Sequence, residues 1–308
     1  MIEVGMRIVL TESTRLGFAV DSLAGLSVGD ALGAQYFMVG RRVEDLLAGV
    51  TPPPVWEWTD DTEMACSLVW MLAEAGRVHQ DLLAGAFAQR CEPNRGYGAG
   101  AFTILRQIRQ GLPWREAAGA AFEGQGSCGN GAAMRVAPLG AYFPDDINRA
   151  VREAQLSARV THAHPEGGAG AGGVAVAASV AAAGRLAGAR PKPGPFLDTV
   201  LASTPDGQVR RGIARARRML HVSVEEVAYE LGSGHLVTAQ DSVPFTLWVA
   251  ARSLDDYQQA ICDCVRAGGD VDTTSAIVGG IVAAFVGAQG IPEQWRDARE
   301  PLPGWLQL

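Results

Sequence analysis

The sequence predicts an all-α fold, and three observations carry that prediction. No stretch sustains an apolar–polar alternation of period two. Alanine and leucine dominate every apolar run, and the apolar positions that recur do so near helical spacing. The expectation is a compact, single-domain bundle of about a dozen helices round one core, spanning residues 1–308. No repeat period and no long linker divides the chain.

Taken in order, Ser13 to Phe37 places Leu16, Val20, Leu23, Ala24, Ser27 and Val28 near helical spacing. Within it, Gly29-Asp30-Ala31-Leu32-Gly33 carries glycines that permit close helix approach or a break. Ala48–Pro54, with one Gly and three prolines, ends that unit as a turn region. Met64–Leu72 predicts a buried helix stopping at Gly76, and Asp81–Gln89 another. Cys91–Gly98 is a loop, because Pro93-Asn94 and the glycines forbid regular structure. A helix follows around Ala101–Gln110, and a turn at Gly111-Leu112-Pro113. Further on, Asp145–Ser157, Ser223–Leu231 and Val243–Ala251 read as helices, the last with Pro244 at a start position. Ser253–Asp256 caps one more, Tyr257–Ala267, and the tail from Ile291 to Leu308 reads as a turn-rich surface segment. Gly167–Ala183 and Ala276–Gly290 are apolar enough to suggest membrane spans, but they are short and rich in Gly and Ala. They read as closely packed core helices.

Hydrophobic residues make up 48% of the 308 positions and charged ones 19%, enough to bury a large core. Thirty-three acids against 26 Lys+Arg give a net charge of -7, which argues against a nucleic-acid or anionic-membrane surface. The basic run Arg210–Arg218 reads as a solvated helix face. Five cysteines, an odd number without disulfide-like spacing, point to a reduced, cytoplasmic chain, and Cys262 and Cys264 read as a helix-borne core pair. The stretch from Met1 to Thr11 lacks a basic region followed by a long apolar run, so no signal peptide is expected.

Two acidic clusters organise the chemistry. Trp58-Thr59-Asp60-Asp61-Thr62 and Gly269-Asp270-Val271-Asp272-Thr273-Thr274 each pack two carboxylates and at least two hydroxyls ahead of an apolar helix. Either alone reads equally well as a helix start, with Thr59 as N-cap and acids in the positive first turn. Two clusters of one composition favour a shared site for hard divalent cations, which prefer oxygen ligands and offset the repulsion between adjacent Asp residues.

Two other segments carry weaker signals. Gly124–Gly131 is a glycine-rich loop feeding Ala132–Leu139, an arrangement that exposes backbone N–H groups to a phosphate or ribose, although most such loops are ordinary turns. His162 and His164 place two of the five histidines in one polar loop, a pairing that suggests function without proving a ligand pair.

In Gly29–Gly33, Trp58–Thr62, Ser127–Arg135, Thr161–Pro165 and Gly268–Thr274, in that order, the chain resembles the ADP-ribosylglycohydrolase family over about residues 15–290. The resemblance implies an all-α domain with a central binuclear Mg²⁺ (or Mn²⁺) cleft that takes ADP-ribose, or an ADP-ribosylated protein or small molecule. Carried onto this chain, it implies that Thr59, Asp60, Asp61, Asp270, Asp272 and Thr273 hold the metals. Ser127, Gly129, Asn130 and Gly131 would line the diphosphate and ribose, His162 would contact the phosphate or ribose side, and Asp30 would support the ligands. Relatives usually carry a glutamate seven residues beyond the equivalent of Asp30; Phe37 stands there. The loop in which the dinitrogen-reductase-activating enzyme places an important Asp reads Asn94-Arg95-Gly96-Tyr97, again without an acid.

The implied reaction is hydrolysis of an N- or O-glycosidic bond at the anomeric carbon, with Asp60 or Asp61 to orient or deprotonate the water. Two rivals stand beside it. One is a silent family member that binds ADP-ribose or a related nucleotide, which Phe37 favours. The other is a two-metal phosphoesterase, although such sites commonly mix His with Asp and neither acidic cluster has a neighbouring His.

Overall fold

The computed structural model describes residues 10–37 and 41–307. The reading of Met1–Thr11 therefore falls almost wholly outside the described residues. Among those described there are seventeen α-helices and no strand, only two isolated bridges, Trp56 with Arg299 and Gly129 with Thr238. The all-α expectation holds. The main apolar core runs from Phe18 in the first helix to Ala298 near the C-terminus, with a small second cluster of Leu23, Leu26, Ala65, Cys66, Val69 and Ala276.

Two helices at the centre position everything else. Glu12–Ala34 carries Gly25, Gly29 and Gly33 four residues apart, hence on one face. That face lies against Val271–Val286 so closely that side chains have no room. A Cβ on Gly29 would collide with the Ser275 carbonyl, one on Gly25 with the Gly279 carbonyl, and one on Gly33 would sit 2.6 Å from Val271 O and 2.7 Å from Asp272 Cα. The late turns of the first helix thus meet the first turn of the other, which puts Asp30 beside Asp272. Asp60–Ala75 packs against both, capped at its start by Thr59 and ended by Gly76 in the left-handed conformation (φ 62°).

The remaining expectations fare unevenly. Pro165–Leu186 and Glu12–Phe37 are long and apolar enough to cross a membrane, but most of each is buried inside the fold as core. Cys262 and Cys264 are buried on Tyr257–Ala267, and the basic run lies on Gln208–Arg218, whose Val209, Ile213 and Ala216 face inward. Its arginines pair with Asp206, Asp198 and Glu230 at the surface.

Three boundaries differ from the sequence reading. The helix placed at Val243 begins at Ala239, so Pro244 is interior; its ring packs over Gly212, where a Cβ would find no space. The run Ala132–Leu139 is two short helices, Gly131–Met134 and Ala137–Tyr142, because Pro138 has no N–H and its ring would clash with the Met134 carbonyl in a continuous helix. The tail is not all turns: Glu293–Ala298 is helical and buries Trp295.

Candidate active site

The two acidic clusters meet. Oxygens of Asp30, Asp61 and Asp272, from three different helices, lie within 4.8 Å of one another. Asp61 and Asp272 face a cavity of about 500 Å³, and Asp30 is fully buried behind them. Asp60, Asp270 and Thr273 also line that cavity.

Asp30 is the best-anchored member. It accepts from Thr59 N (3.0 Å), Thr59 Oγ1 (2.7 Å), Thr62 N (3.1 Å) and Thr62 Oγ1 (2.5 Å), so it fixes the entry to the Asp60–Ala75 helix. Thr59 serves as N-cap and hydrogen-bonds both Asp30 and Asp61 (3.1 Å to Oδ2), yet it lies beside the cavity rather than on its lining. Both readings of that cluster therefore hold: it starts a helix and it gathers carboxylates. Asp270 accepts from Asn130 Nδ2 at 2.7 Å, and Asp272 from Thr273 N at 2.7 Å.

The electrostatics are unfavourable in the bare chain. Burial and then Asp30 push the Asp60 carboxyl up to about 8. Burial pushes Asp30 up to about 6, against four hydrogen bonds that pull it down. Asp61 and Asp272 are driven well above the ordinary carboxylate range, first by burial and then by their neighbours Asp30 and Asp270 respectively. Among the described residues none of these five carboxylates pairs with Lys, Arg or His, and Asp61 Oδ1 is buried without a hydrogen-bond partner. Grouped, unpaired, oxygen-only donors fit a hard divalent cation, whose charge removes the repulsion and whose coordination satisfies the orphaned oxygen.

The opposite wall comes from the glycine-rich loop. Ser127, Cys128, Gly129, Asn130 and Gly131 all line the cavity. The loop is pinned by Ala239 N donating to Cys128 O (2.9 Å) and Asn130 N donating to Val237 O (3.2 Å). The Asn130 amide is committed to Ser242 Oγ and Asp270, so it links this wall to the acidic one. The two loop histidines divide: His162 enters the cavity wall, while His164 turns away and caps Pro165–Leu186 through Glu166 N. Burial and then the nearby Arg135 push His162 down to about 3, so its ring is neutral.

Several lining residues escaped the sequence reading. Phe122, Leu236 and Val237 form an apolar rim, each more than half exposed. Phe122 (φ 53°) and Val237 (φ 54°) hold left-handed backbone, which a β-branched residue rarely adopts and which concentrates at functional sites. Neither shows any periodic signal. The nearest cue, Gly232-Ser233-Gly234 ahead of the second segment, is only a loop mark. Gly96 and Gly98 complete the rim, and the Arg95 carbonyl accepts from Asp60 N at 2.7 Å. Arg95 itself stacks on Trp58 and binds Glu300, tying this loop to the C-terminal segment. Phe37 is exposed and is not part of the lining, so the carboxylates facing the cavity among the described residues are Asp60, Asp61, Asp270 and Asp272.

Comparison with known proteins gives the family and the fold. The family model described as ADP-ribosylglycohydrolase matches residues 11–307. The chain is 31% identical over 324 residues to ADP-ribosylhydrolase ARH3 of Bos taurus, covering 90% of this chain and 87% of that one. To ARH3 of Homo sapiens it is 30% identical, covering 90% and 88%. To the ADP-ribosylarginine hydrolase Tri1 of Serratia proteamaculans it is 25% identical, covering 94% and 77%. A solved structure titled ADP-ribosylglycohydrolase-related protein complex superposes with a TM-score of 0.66 at 24% identity over 93% of each chain, a likeness of fold.

Proposed function

The chain belongs to the ADP-ribosylglycohydrolase family, and on that footing we propose that it hydrolyses the glycosidic bond of an ADP-ribosyl group in a reaction that needs two divalent cations, Mg²⁺ or Mn²⁺. The observation that carries this reading is the convergence of Asp30, Asp61 and Asp272 within 4.8 Å beneath a cavity large enough for part of a nucleotide. Asp60, Asp61, Asp270 and Asp272 would hold the cations with the hydroxyls of Thr59 and Thr273, and Asp30 would lock the first of these helices in place. Cations bound there supply positive charge to polarise the reacting ribose and to lower the pKa of a water.

The chain's own groups do the rest. Asp60 lines the cavity at the first turn of its helix, where the Arg95 carbonyl holds its backbone N–H, and its carboxylate is the candidate to take a proton from the attacking water. The surrounding carboxylates favour the positive charge that develops at the ring oxygen in an oxocarbenium-like transition state. Ser127, Gly129, Asn130, Gly131 and His162 would face the diphosphate and ribose. The carboxylate that relatives carry at the position of Phe37 has no counterpart in the described lining, so on this reading proton transfer falls to the cavity aspartates, with Asp60 or Asp61 as the candidate. The same observation favours a second reading, a family member that binds ADP-ribose without cleaving it.

A panel of substrates ADP-ribosylated on arginine, serine or a small acceptor, incubated with and without Mg²⁺, tests the proposal through released ADP-ribose. Metal-dependent release from at least one substrate is expected. Metal-dependent binding of ADP-ribose with no release would establish the silent reading, and release of phosphate from nucleotides would establish a phosphoesterase.

A further inference from the structure

Among the described residues, Arg135 is the one arginine that is fully buried, and it makes no salt bridge. Its guanidinium lies over the Phe87 ring and donates to Gly131 O (3.1 Å), Ser157 O (2.9 Å) and Thr161 Oγ1 (3.0 Å). A buried cation is costly, so its place behind the cavity wall calls for a reason. The reason lies one bond further on. Thr161 Oγ1, itself fully buried, is 2.8 Å from His162 Nδ1.

The hydrogen bookkeeping along this chain has one satisfactory solution. Arginine can only donate, so Thr161 Oγ1 accepts from it. The hydroxyl then has one hydrogen and, among the described residues, one remaining partner, His162 Nδ1. If Nδ1 carried the proton instead, the oxygen could accept from both neighbours but the buried threonine hydrogen would be stranded, a penalty that buried hydroxyls avoid. Nδ1 is therefore the acceptor, and the ring proton sits on Nε2. Nε2 is the ring atom on the side of the glycine loop, where a Cβ on Gly129 would come within 3.2 Å and one on Gly131 within 3.0 Å. The same guanidinium also holds the Gly131 carbonyl, so loop and ring are set by a single group.

We propose that Arg135 and Thr161 are positioning residues that lock His162 as the neutral Nε2–H tautomer, so that it offers the cavity a hydrogen-bond donor for an anionic or hydroxyl oxygen of the ligand. This rests on the reading of the cavity as an ADP-ribosyl site. Its consequence is a division of labour: the histidine selects and orients a phosphate or ribose oxygen, and proton transfer is left to the aspartates.

The experiment uses the full chain labelled with ¹⁵N-histidine. The His162 signals are identified by their loss in His162→Gln, and the imidazole nitrogens report the tautomer directly. The native chain is expected to show Nε2–H, Thr161→Val to lose that preference, and Thr161→Ser to restore it. In the presence of Mg²⁺, Thr161→Val is expected to weaken ADP-ribose binding about tenfold, with Thr161→Ser near native. An Nδ1–H tautomer in the native chain, or an unchanged tautomer in a folded Thr161→Val, overturns the lock, and the native spectrum decides even if that variant fails to fold. An altered tautomer with unchanged ADP-ribose affinity overturns the role in recognition. If the native chain binds no ADP-ribose at all, the functional reading fails while the nitrogen shifts still decide the tautomer.

Discussion

Replacing Gly33 with alanine probes the contact that brings the two acidic clusters together. The added Cβ would lie 2.6 Å from Val271 O and 2.7 Å from Asp272 Cα, where ordinary contact begins at 3.4 Å. Relief requires the helices to part by about 0.8 Å at the residue that carries a proposed ligand, since backbone on both sides leaves no flexible side chain to give way. Overpacking of this kind costs about 1–3 kcal/mol. For a chain of this length that corresponds to a melting temperature lower by about 2–5 °C. Because the displacement separates Asp272 from Asp30, affinity for Mn²⁺ should also fall about 10–100-fold, the range seen when a supporting contact of a metal site is lost. Gly17 is the control: it lies on the same helix, is exposed, and would have nothing within 4 Å of a new Cβ. Gly17→Ala should stabilise the helix by about 1 kcal/mol, raising the midpoint by about 1–2 °C with metal affinity unchanged. Calorimetric melting and Mn²⁺ titration of both variants form the assay. A Gly33→Ala chain that melts and binds metal like the native one would refute the close crossing as the device that assembles the site.

Three other outcomes are expected. Asp60→Ala and Asp272→Ala should each lower metal-dependent turnover at least about 100-fold while the metal-free chain melts no lower than native, because one of several mutually repelling buried carboxylates has gone; native turnover in both would dismiss the assignment. Asp60 at about 8 and Asp30 at about 6 retain protons in the folded chain that the unfolded chain releases near 4. Their contribution is therefore fully present below about pH 4 and lost as pH rises towards 8, a fall that Asp60→Asn should flatten and saturating Mg²⁺ should abolish in melts taken across that window. Glu300→Ala removes the partly buried partner of Arg95 and should lower the midpoint by about 1–2 °C while sparing turnover, since the Arg95 carbonyl still holds Asp60 N; a collapse of activity would give the C-terminal segment a larger role than this geometry allows.

What the sequence disclosed and what it hid divide along physical lines. The acidic clusters were legible because hard cations need oxygen ligands and both runs gather Asp and Thr within a few residues at a helix start, and Gly76 as a helix stop because left-handed backbone selects glycine. The stripe of Gly25, Gly29 and Gly33 was partly legible: close approach is implied by Gly29 and Gly33, but which partner fills the groove is a long-range fact that spacing cannot carry. Pro244 misled because a proline inside a helix is normally excluded, and only the matching Gly212 opposite makes room for it. His162 and His164 look alike in sequence and separate only when one faces the glycine loop and the other caps a helix. Arg135 closes the Ser127–Arg135 motif in sequence, yet its buried chain of bonds to Thr161 and His162 depends on packing alone.

In the proposed site, aspartates far apart in sequence hold divalent cations jointly. Equilibrium dialysis against Mn²⁺, with free and bound metal counted by electron paramagnetic resonance, addresses it in the native chain and in Asp61→Ala and Asp272→Ala. Two ions per native chain are predicted, with both variants losing tight binding although their substitutions lie on different helices. Native stoichiometry and affinity in either variant would contradict it.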